Sequence, residues 1–158
     1  MKTLIVYASK YGCTADCAKY LAGKIPGGAV LADINKPAKP IELSGFDTII
    51  IGGSVYIGKM AKKLREFCSN NLDPLLKNKV GIFLCCALAD QMDEALKNSL
   101  PSALLEAAKI TMSFGSEARL DRMGFVDKAM IKAVTKGDFS GFKISHEAMD
   151  EFVKALMS

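Results

Sequence analysis

A turn that contains hydroxyl groups and a glycine directly follows the first apolar run of the chain. The run is formed by Leu4, Ile5 and Val6, and the turn is made of Ser9, Lys10, Tyr11, Gly12, Cys13 and Thr14. Apolar residues then recur at helical spacing over residues 18–25. Hydroxyl groups and the backbone N–H groups at a helix start can bind a phosphate at the positive end of the helix dipole. The pattern therefore predicts a phosphate loop, with a helix cap that binds no ligand as the alternative.

A second glycine-rich loop ends the third apolar run. Its candidate binding residues are Gly53, Ser54, Val55, Tyr56, Ile57 and Gly58. The fourth and most hydrophobic run leads into a third loop, residues 86–91, with the candidates Cys86, Ala87, Leu88, Ala89 and Asp90. If the runs are parallel strands, all three loops lie at the same end of one sheet.

The five cysteines are an odd number in a chain whose composition is typical of an ordinary core, which favours free thiols in a reducing cytoplasm. Cys13 and Cys17 lie one helical turn apart, and Cys85 and Cys86 are adjacent. We expect these four to be small buried side chains rather than redox pairs, and we predict no metal site. There is no Ser-His-Asp set and no Gly-Lys-Ser/Thr loop, so no catalytic residue is predicted and a bound cofactor would have to supply any redox chemistry.

Apolar strand patterns alternate with helical patterns along the chain. The predicted strands span residues 4–6, 29–32, 46–51, 80–87 and 110–115, and the helical region 93–105 is interrupted at Pro101. Five such alternations in 158 residues predict a single α/β domain with a parallel sheet that is covered by helices on both faces. Ligands in that topology bind at the carboxyl ends of the strands.

A long segment, residues 117–143, separates the fifth strand from the last helix, which Ser145 should cap. It contains an inserted amphipathic helix. The predicted apolar face carries Val126, Ala129, Met130, Ala133 and Val134, and the opposite face carries Lys128, Lys132 and Lys136. We favour packing of the apolar face on the core over contact with a membrane, since its alanines would bind a membrane weakly.

The first loop resembles the phosphate loop of flavodoxins, Ser/Thr-x-Thr-Gly-x-Thr. Tyr11 replaces the Thr that directly precedes the Gly in that motif. The resemblance implies a flavodoxin-like three-layer sandwich that binds FMN, with a five-stranded parallel sheet of order 2-1-3-4-5. The first loop would hold the phosphate, and the other two would flank the isoalloxazine ring, with Tyr56 stacked on it. The third loop lacks the aromatic residue common in the family, although backbone groups could still bond the polar edge of the ring.

The stretch Asp127-Lys128-Ala129-Met130-Ile131-Lys132, after a loop with Arg119 and Arg122, resembles the insert of menaquinone-dependent protoporphyrinogen oxidases. Those enzymes are also flavodoxin-like, FMN-binding and basic. This resemblance implies oxidation of protoporphyrinogen or reduction of a quinone, with peripheral membrane or quinone contact through the inserted helix.

The leading hypothesis is a cytoplasmic FMN protein that exchanges electrons with a partner protein. The net charge of +4 departs from the acidic electron shuttles of the flavodoxin family, and no leader or transmembrane pattern is present. The alternatives are the oxidase or quinone reductase and a cofactor-free binding module. We do not expect a nucleic acid as partner.

Overall fold

Five strands form one sheet in the order β2-β1-β3-β4-β5, and every neighbouring pair is parallel. The computed structural model describes residues 1–86, 89–117, 119–139 and 142–158. The strands are β1 (Thr3–Ala8), β2 (Val30–Asp33), β3 (Thr48–Ser54), β4 (Lys79–Cys85) and β5 (Ile110–Ser113). The predicted strand order is confirmed. The third strand starts and ends later than the predicted 46–51, so Gly53 and Ser54 belong to the strand.

The helices connect the strands and cover both faces of the sheet. They are α1 (Cys13–Lys24), α2 (Lys62–Asn70), α3 (Leu72–Leu76), α4 (Met92–Ser99), α5 (Ser102–Ala107), α6 (Phe125–Thr135) and α7 (His146–Met157). Pro101 divides α4 from α5, as predicted. The hydroxyl of Ser145 accepts a hydrogen bond from the N–H of Ala148, which confirms the predicted cap of α7.

Alternate residues of each strand enter two separate cores. On one face, Ile5 and Phe83 pack beneath α1 and α7, and the ring of Phe83 stacks on Phe114 with centroids 4.8 Å apart. On the other face, Leu4 and Ile82 pack beneath α2 to α5. Both faces are covered, which is why the strands are continuous apolar runs.

The segment that carries α6 leaves the sheet and returns to it at one point. Gly115 and Ile144 form an isolated antiparallel bridge, and the N–H of Ser145 donates to the carbonyl of Phe114. A Cβ on Gly115 would lie 1.9 Å from the carbonyl oxygen of Lys143, so only glycine permits this close approach. Residues 116–143 are therefore an excursion from an otherwise regular fold.

The helix α6 is present, but the prediction that its apolar face packs on the core is wrong. Val126 is 68% exposed, and Ala129 and Met130 are also exposed. The partly buried residues include Asp127 and Ile131. The ammonium group of Lys10 and the phenol groups of Tyr11 and Tyr56 lie beneath α6. For this reason the carboxylate of Asp127 turns inward, and the apolar residues do not. No helix among the described residues is long and apolar enough to cross a bilayer.

Candidate functional site

The carboxyl ends of β1, β3 and β4 open into a cavity of about 640 Å³, which we call the loop cavity. Its walls come from all three predicted loops and from the segment that carries α6. The lining residues are Ser9, Lys10, Tyr11, Cys13, Thr14, Ser54, Val55, Tyr56, Ile57, Gly58, Cys85, Cys86, Gln91, Ser116, Glu117, Met123, Asp127, Met130, Ile131, Thr135, Asp138 and Phe142. The volume lies within the range of roughly 300–1,000 Å³ that is typical of small-molecule and cofactor sites.

The first loop forms the N-terminus of α1. Gly12 is the N-cap residue and has a left-handed conformation with φ of 95°, and its N–H donates to the Ser9 hydroxyl oxygen at 3.0 Å. Thr14 is only 1% exposed, yet its hydroxyl oxygen finds no hydrogen-bond partner among the residues that the structure describes. An unsatisfied buried hydroxyl is costly, and this one lies beside the unpaired N–H groups of a helix start. The arrangement fits an anionic ligand.

Two arginines from the excursion close over the same loop. The Nη1 atoms of Arg119 and Arg122 donate to the carbonyl oxygen of Tyr11 at 3.3 and 3.1 Å. A Cβ on Gly12 would lie 2.7 Å from both of these atoms, so a larger residue here would displace the two guanidinium groups. Arg119 also forms ion pairs with Asp16 at 2.7 Å and Glu117 at 2.8 Å. This guanidinium thus joins α1 to the excursion.

Asp127 of α6 forms the other contact between the excursion and the loops. Its carboxylate lies 2.5 Å from the Lys10 ammonium and accepts hydrogen bonds from the hydroxyls of Tyr11 and of Tyr56, the latter at 2.8 Å. The hydrogen bond from Lys10 is the main reason why the pKa of Asp127 is lowered to about 2. We call this set the Asp127 latch. It fastens α6 across the mouth of the loop cavity, between the first and second loops.

The second loop enters the cavity from residue 54 onward. Ser54, Val55, Tyr56, Ile57 and Gly58 line the wall, which places these predicted binding residues at the cavity. Gly53 does not belong to the lining. It is buried in β3, where a Cβ would lie 2.9 Å from Met60, so its small size serves packing rather than a ligand.

The third loop contributes only part of what was predicted. Cys86 lines the loop cavity, whereas Ala87 and Leu88 lie outside the described residues. Ala89 begins a short 3₁₀ turn, and Asp90 is exposed within it. Among the described residues of this loop, Gln91 lines the cavity and Asp90 does not.

Three thiols meet where α1 crosses the end of β4. The sulfur atoms of Cys13, Cys17 and Cys85 all lie within 4.8 Å of one another, and those of Cys17 and Cys85 are 3.7 Å apart. Hydrogen bonds from Cys17 and then Cys85 lower the pKa of Cys13 to about 3, while the same contact raises the pKa of Cys17 to about 12. Cys17, Cys85 and Cys86 are buried, as predicted, and Cys13 is half-buried at the cavity wall.

Sequence reasoning missed the wall that the excursion supplies. Asp127, Ile131 and Glu117 were not predicted as site residues, although they line the cavity. Asp127 is 116 residues away from Tyr11 in the chain, and no spacing rule connects them. The available signal was Tyr11 itself, a phenol in a loop that should face phosphate, which requires a polar partner from elsewhere.

Solved structures with the same fold cover almost the whole chain. A short-chain flavodoxin associated with a bacterial microcompartment superposes with a TM-score of 0.60 at 13% identity, covering 99% of this chain and 97% of that one. A flavodoxin, WrbA-like protein from Agrobacterium tumefaciens gives 0.57 at 18% identity, with 99% and 97% covered. A flavoprotein in complex with FMN from Lactobacillus acidophilus gives 0.51 at 21% identity, with 72% and 90% covered. These identities support the fold alone.

Sequence comparison supplies the family. No curated protein matches the sequence of this chain. The flavodoxin domain family matches residues 4–140, which include the three loops, α6 and all five strands except Thr3 at the start of β1. The chain belongs to the flavodoxin domain family.

Proposed function

We propose that this protein binds FMN in the loop cavity and transfers electrons between the flavin and a partner protein. The observation that carries the proposal is the buried, unpaired hydroxyl of Thr14 at the N-terminus of α1. A phosphate would satisfy that hydroxyl together with the N–H groups of the first turn of α1. A flavoprotein of the same fold from Lactobacillus acidophilus was solved in complex with FMN, which supports this choice of ligand.

Different residues of the loop cavity would bind different parts of FMN. Ser9 and Thr14 would bind the phosphate through their hydroxyls, and Lys10 would offset part of its charge. The Lys10 ammonium lies 4.4 Å from the centroid of the Tyr56 ring, so the isoalloxazine would stack on the other face of that ring, and Cys86 lines the inner wall. FMN, when bound, would supply the electron-transfer chemistry.

The mouth of the loop cavity would be the surface for the redox partner. Ile57 is 71% exposed there, and Phe125 at the start of α6 is 87% exposed. Exposed apolar side chains that form a contiguous patch are typical of docking surfaces, and these two would contribute to one. We place the protein in the cytoplasm, because an odd number of cysteines in a chain with an ordinary core favours free thiols in a reducing compartment.

Oxidation of a porphyrinogen or reduction of a quinone is the second candidate. It is favoured by one observation, the exposed Phe125, Val126 and Met130 on α6 beside a cavity that could admit a flat apolar substrate. Restoration of haem synthesis in cells that lack their own oxidase would support it. Failure of the expressed protein to restore growth would leave electron transfer to a partner protein as the function.

The test of the proposal is the visible absorption spectrum of purified protein, before and after FMN is added and the excess removed by gel filtration. We expect a retained flavin spectrum with one FMN per chain. Protein that stays colourless after incubation with excess FMN would overturn the proposal and favour a cofactor-free binding module. In that case the contacts of Asp127 with Lys10 and Tyr56 would close the mouth of the cavity in the functional protein.

A further inference from the structure

We propose that Cys13, Cys17 and Cys85 together bind one thiophilic metal ion, of the class of Zn²⁺, Cd²⁺ or Cu⁺, as a three-thiolate site. All three sulfur atoms lie within 4.8 Å of one another. The sequence predicted no metal site because Cys85 lies 68 residues beyond Cys17 and was paired with Cys86 instead. Only the crossing of α1 over β4 brings the third sulfur to the other two.

The spacing of the sulfurs agrees with metal coordination. Zinc binds thiolate sulfur at about 2.3 Å, which places two sulfurs on one zinc roughly 3.8 to 4.0 Å apart in tetrahedral or trigonal geometry. Cys17 and Cys85 already stand 3.7 Å apart. A separation of at most 4.8 Å for the remaining pairs requires side-chain movements of no more than about 1 Å to close.

The scaffold holds these donors rigidly. Cys13 and Cys17 are four residues apart on α1, so both sulfurs project from one face of the helix. Cys85 ends β4, and both Cys17 and Cys85 are buried in the core beneath α1 and α7. Soft thiolate donors in a preformed and nearly dry site select soft or borderline ions over Mg²⁺ or Ca²⁺.

The surroundings supply both access and charge balance. Cys13 and Cys85 line the loop cavity, which gives an ion a route to the site and leaves the fourth coordination position facing the cavity. Three thiolates and a divalent ion leave one net negative charge. The guanidinium of Arg119, which donates to the carbonyl of Tyr11 two residues before Cys13, partly offsets this charge.

Burial as a small hydrophobic residue explains Cys68 but not this cluster. Cys68 is fully buried against aliphatic side chains on the opposite face of the sheet. Apolar packing alone does not require the sulfur atoms of two cysteines on α1 and one on β4 to converge on one point. Cys68 is therefore the matched control, a buried thiol outside the cluster.

The experiment is a titration of the reduced, flavin-free protein with Cd²⁺ under anaerobic conditions, followed by the ultraviolet charge-transfer absorption of cadmium thiolates. We expect saturation at one Cd²⁺ per chain and displacement by competing Zn²⁺. Cys17→Ala and Cys13→Ser should each weaken binding by more than about a hundredfold, since loss of a ligand costs more than loss of a ligand's hydrogen-bond partner. Cys68→Ala should bind as the wild type does.

No charge-transfer band with the wild type, or equal affinity in wild type and Cys13→Ser, would overturn the proposal. Loss of the band in Cys68→Ala would also overturn it, because it would place the ion elsewhere. If Cys17→Ala melts below the titration temperature, Cys13→Ser decides, since Cys13 stands at the cavity wall and contributes little to the core. The titration needs no flavin, so its outcome is independent of the proposed electron transfer.

Discussion

The phosphate loop and α6 enclose the same cavity but are held in place by different forces. Residues 9–14 continue β1 and open α1, and both elements are anchored by fully buried side chains such as Ile5 and Leu21. The helix α6 has exposed apolar residues and is fastened by the Asp127 latch, and Arg119 fastens the loop before it. One wall of the site is therefore as stable as the fold, whereas the other depends on a few polar contacts and can open without unfolding.

Truncation of a large side chain in each region should show this difference most strongly. Phe83→Ala removes a ring stacked on Phe114 in the core, and we expect a loss of about 3–5 kcal/mol in the free energy of unfolding. The matched variant Phe125→Ala on α6 should change stability by no more than about 0.5 kcal/mol. Urea unfolding followed by circular dichroism measures both. Equal losses would show that α6 belongs to the cooperative core.

Replacement of a threonine hydroxyl should separate stability from ligand binding. Thr14→Val removes a buried, unpaired hydroxyl, so the flavin-free protein should gain up to about 1–3 kcal/mol while FMN binds roughly 10–100-fold more weakly. Thr48→Val removes an equally buried, unpaired hydroxyl at the start of β3, away from the cavity. It should raise stability and leave the FMN dissociation constant unchanged. An equal change in affinity for both variants would remove Thr14 from the site.

Replacement by alanine of Gly12, the N-cap of α1, and of Gly23, in its last turn, should have opposite effects on stability. Gly12→Ala forces a left-handed residue with a Cβ against both arginines, and should cost about 1–2 kcal/mol and weaken FMN binding. Gly23→Ala lies in the exposed last turn of α1 with open space around it, and should add about 0.5–1 kcal/mol. Thermal melts with and without FMN would measure both effects. A neutral Gly12→Ala would contradict the left-handed conformation of this turn.

The smallest effect on global stability should come from the latch. Asp127→Asn removes the ion pair with Lys10, so amide hydrogen exchange in α6 should become several-fold faster while the melting temperature barely changes. Asp121→Asn, on an exposed turn of the same excursion, is the control and should leave exchange in α6 unaltered. Slower or unchanged exchange in Asp127→Asn would show that the latch does not hold the helix.

The same contact should give α6 a defined dependence on pH. The folded pKa of Asp127 is about 2, below its ordinary value of 3.8, so the ionised latch stabilises the closed helix above the ordinary value. Its contribution should decline as the pH falls from 3.8 toward 2, and be lost below that. An NMR titration of the Asp127 carboxyl carbon measures this midpoint. A midpoint near 3.8 would mean that Lys10 and the two tyrosines do not hold the carboxylate in solution.

The sequence predicted the regular part of the molecule better than the excursion. The strands and the first loop follow from local rules, because buried parallel strands are continuous apolar runs and Gly12 follows a strand end, whereas the strand order follows from the resemblance to flavodoxins. Helix periodicity places α6 correctly but not its orientation. Which face turns inward depends on Lys10, Tyr11 and Tyr56, more than 70 residues earlier in the chain. The contact between Cys17 and Cys85 could not be predicted either, because these residues lie 68 positions apart in the chain.

A comparison of the affinities for FMN and riboflavin by isothermal titration calorimetry tests the central claim most directly, because the two ligands differ only in the phosphate. Two charge-assisted hydrogen bonds from the first loop, at about 1.5 kcal/mol each, predict that FMN binds at least about a hundredfold more tightly. The preference should shrink in Thr14→Val. Equal affinity for the two ligands, or no binding of either, would contradict the assignment of residues 9–14 as a phosphate site.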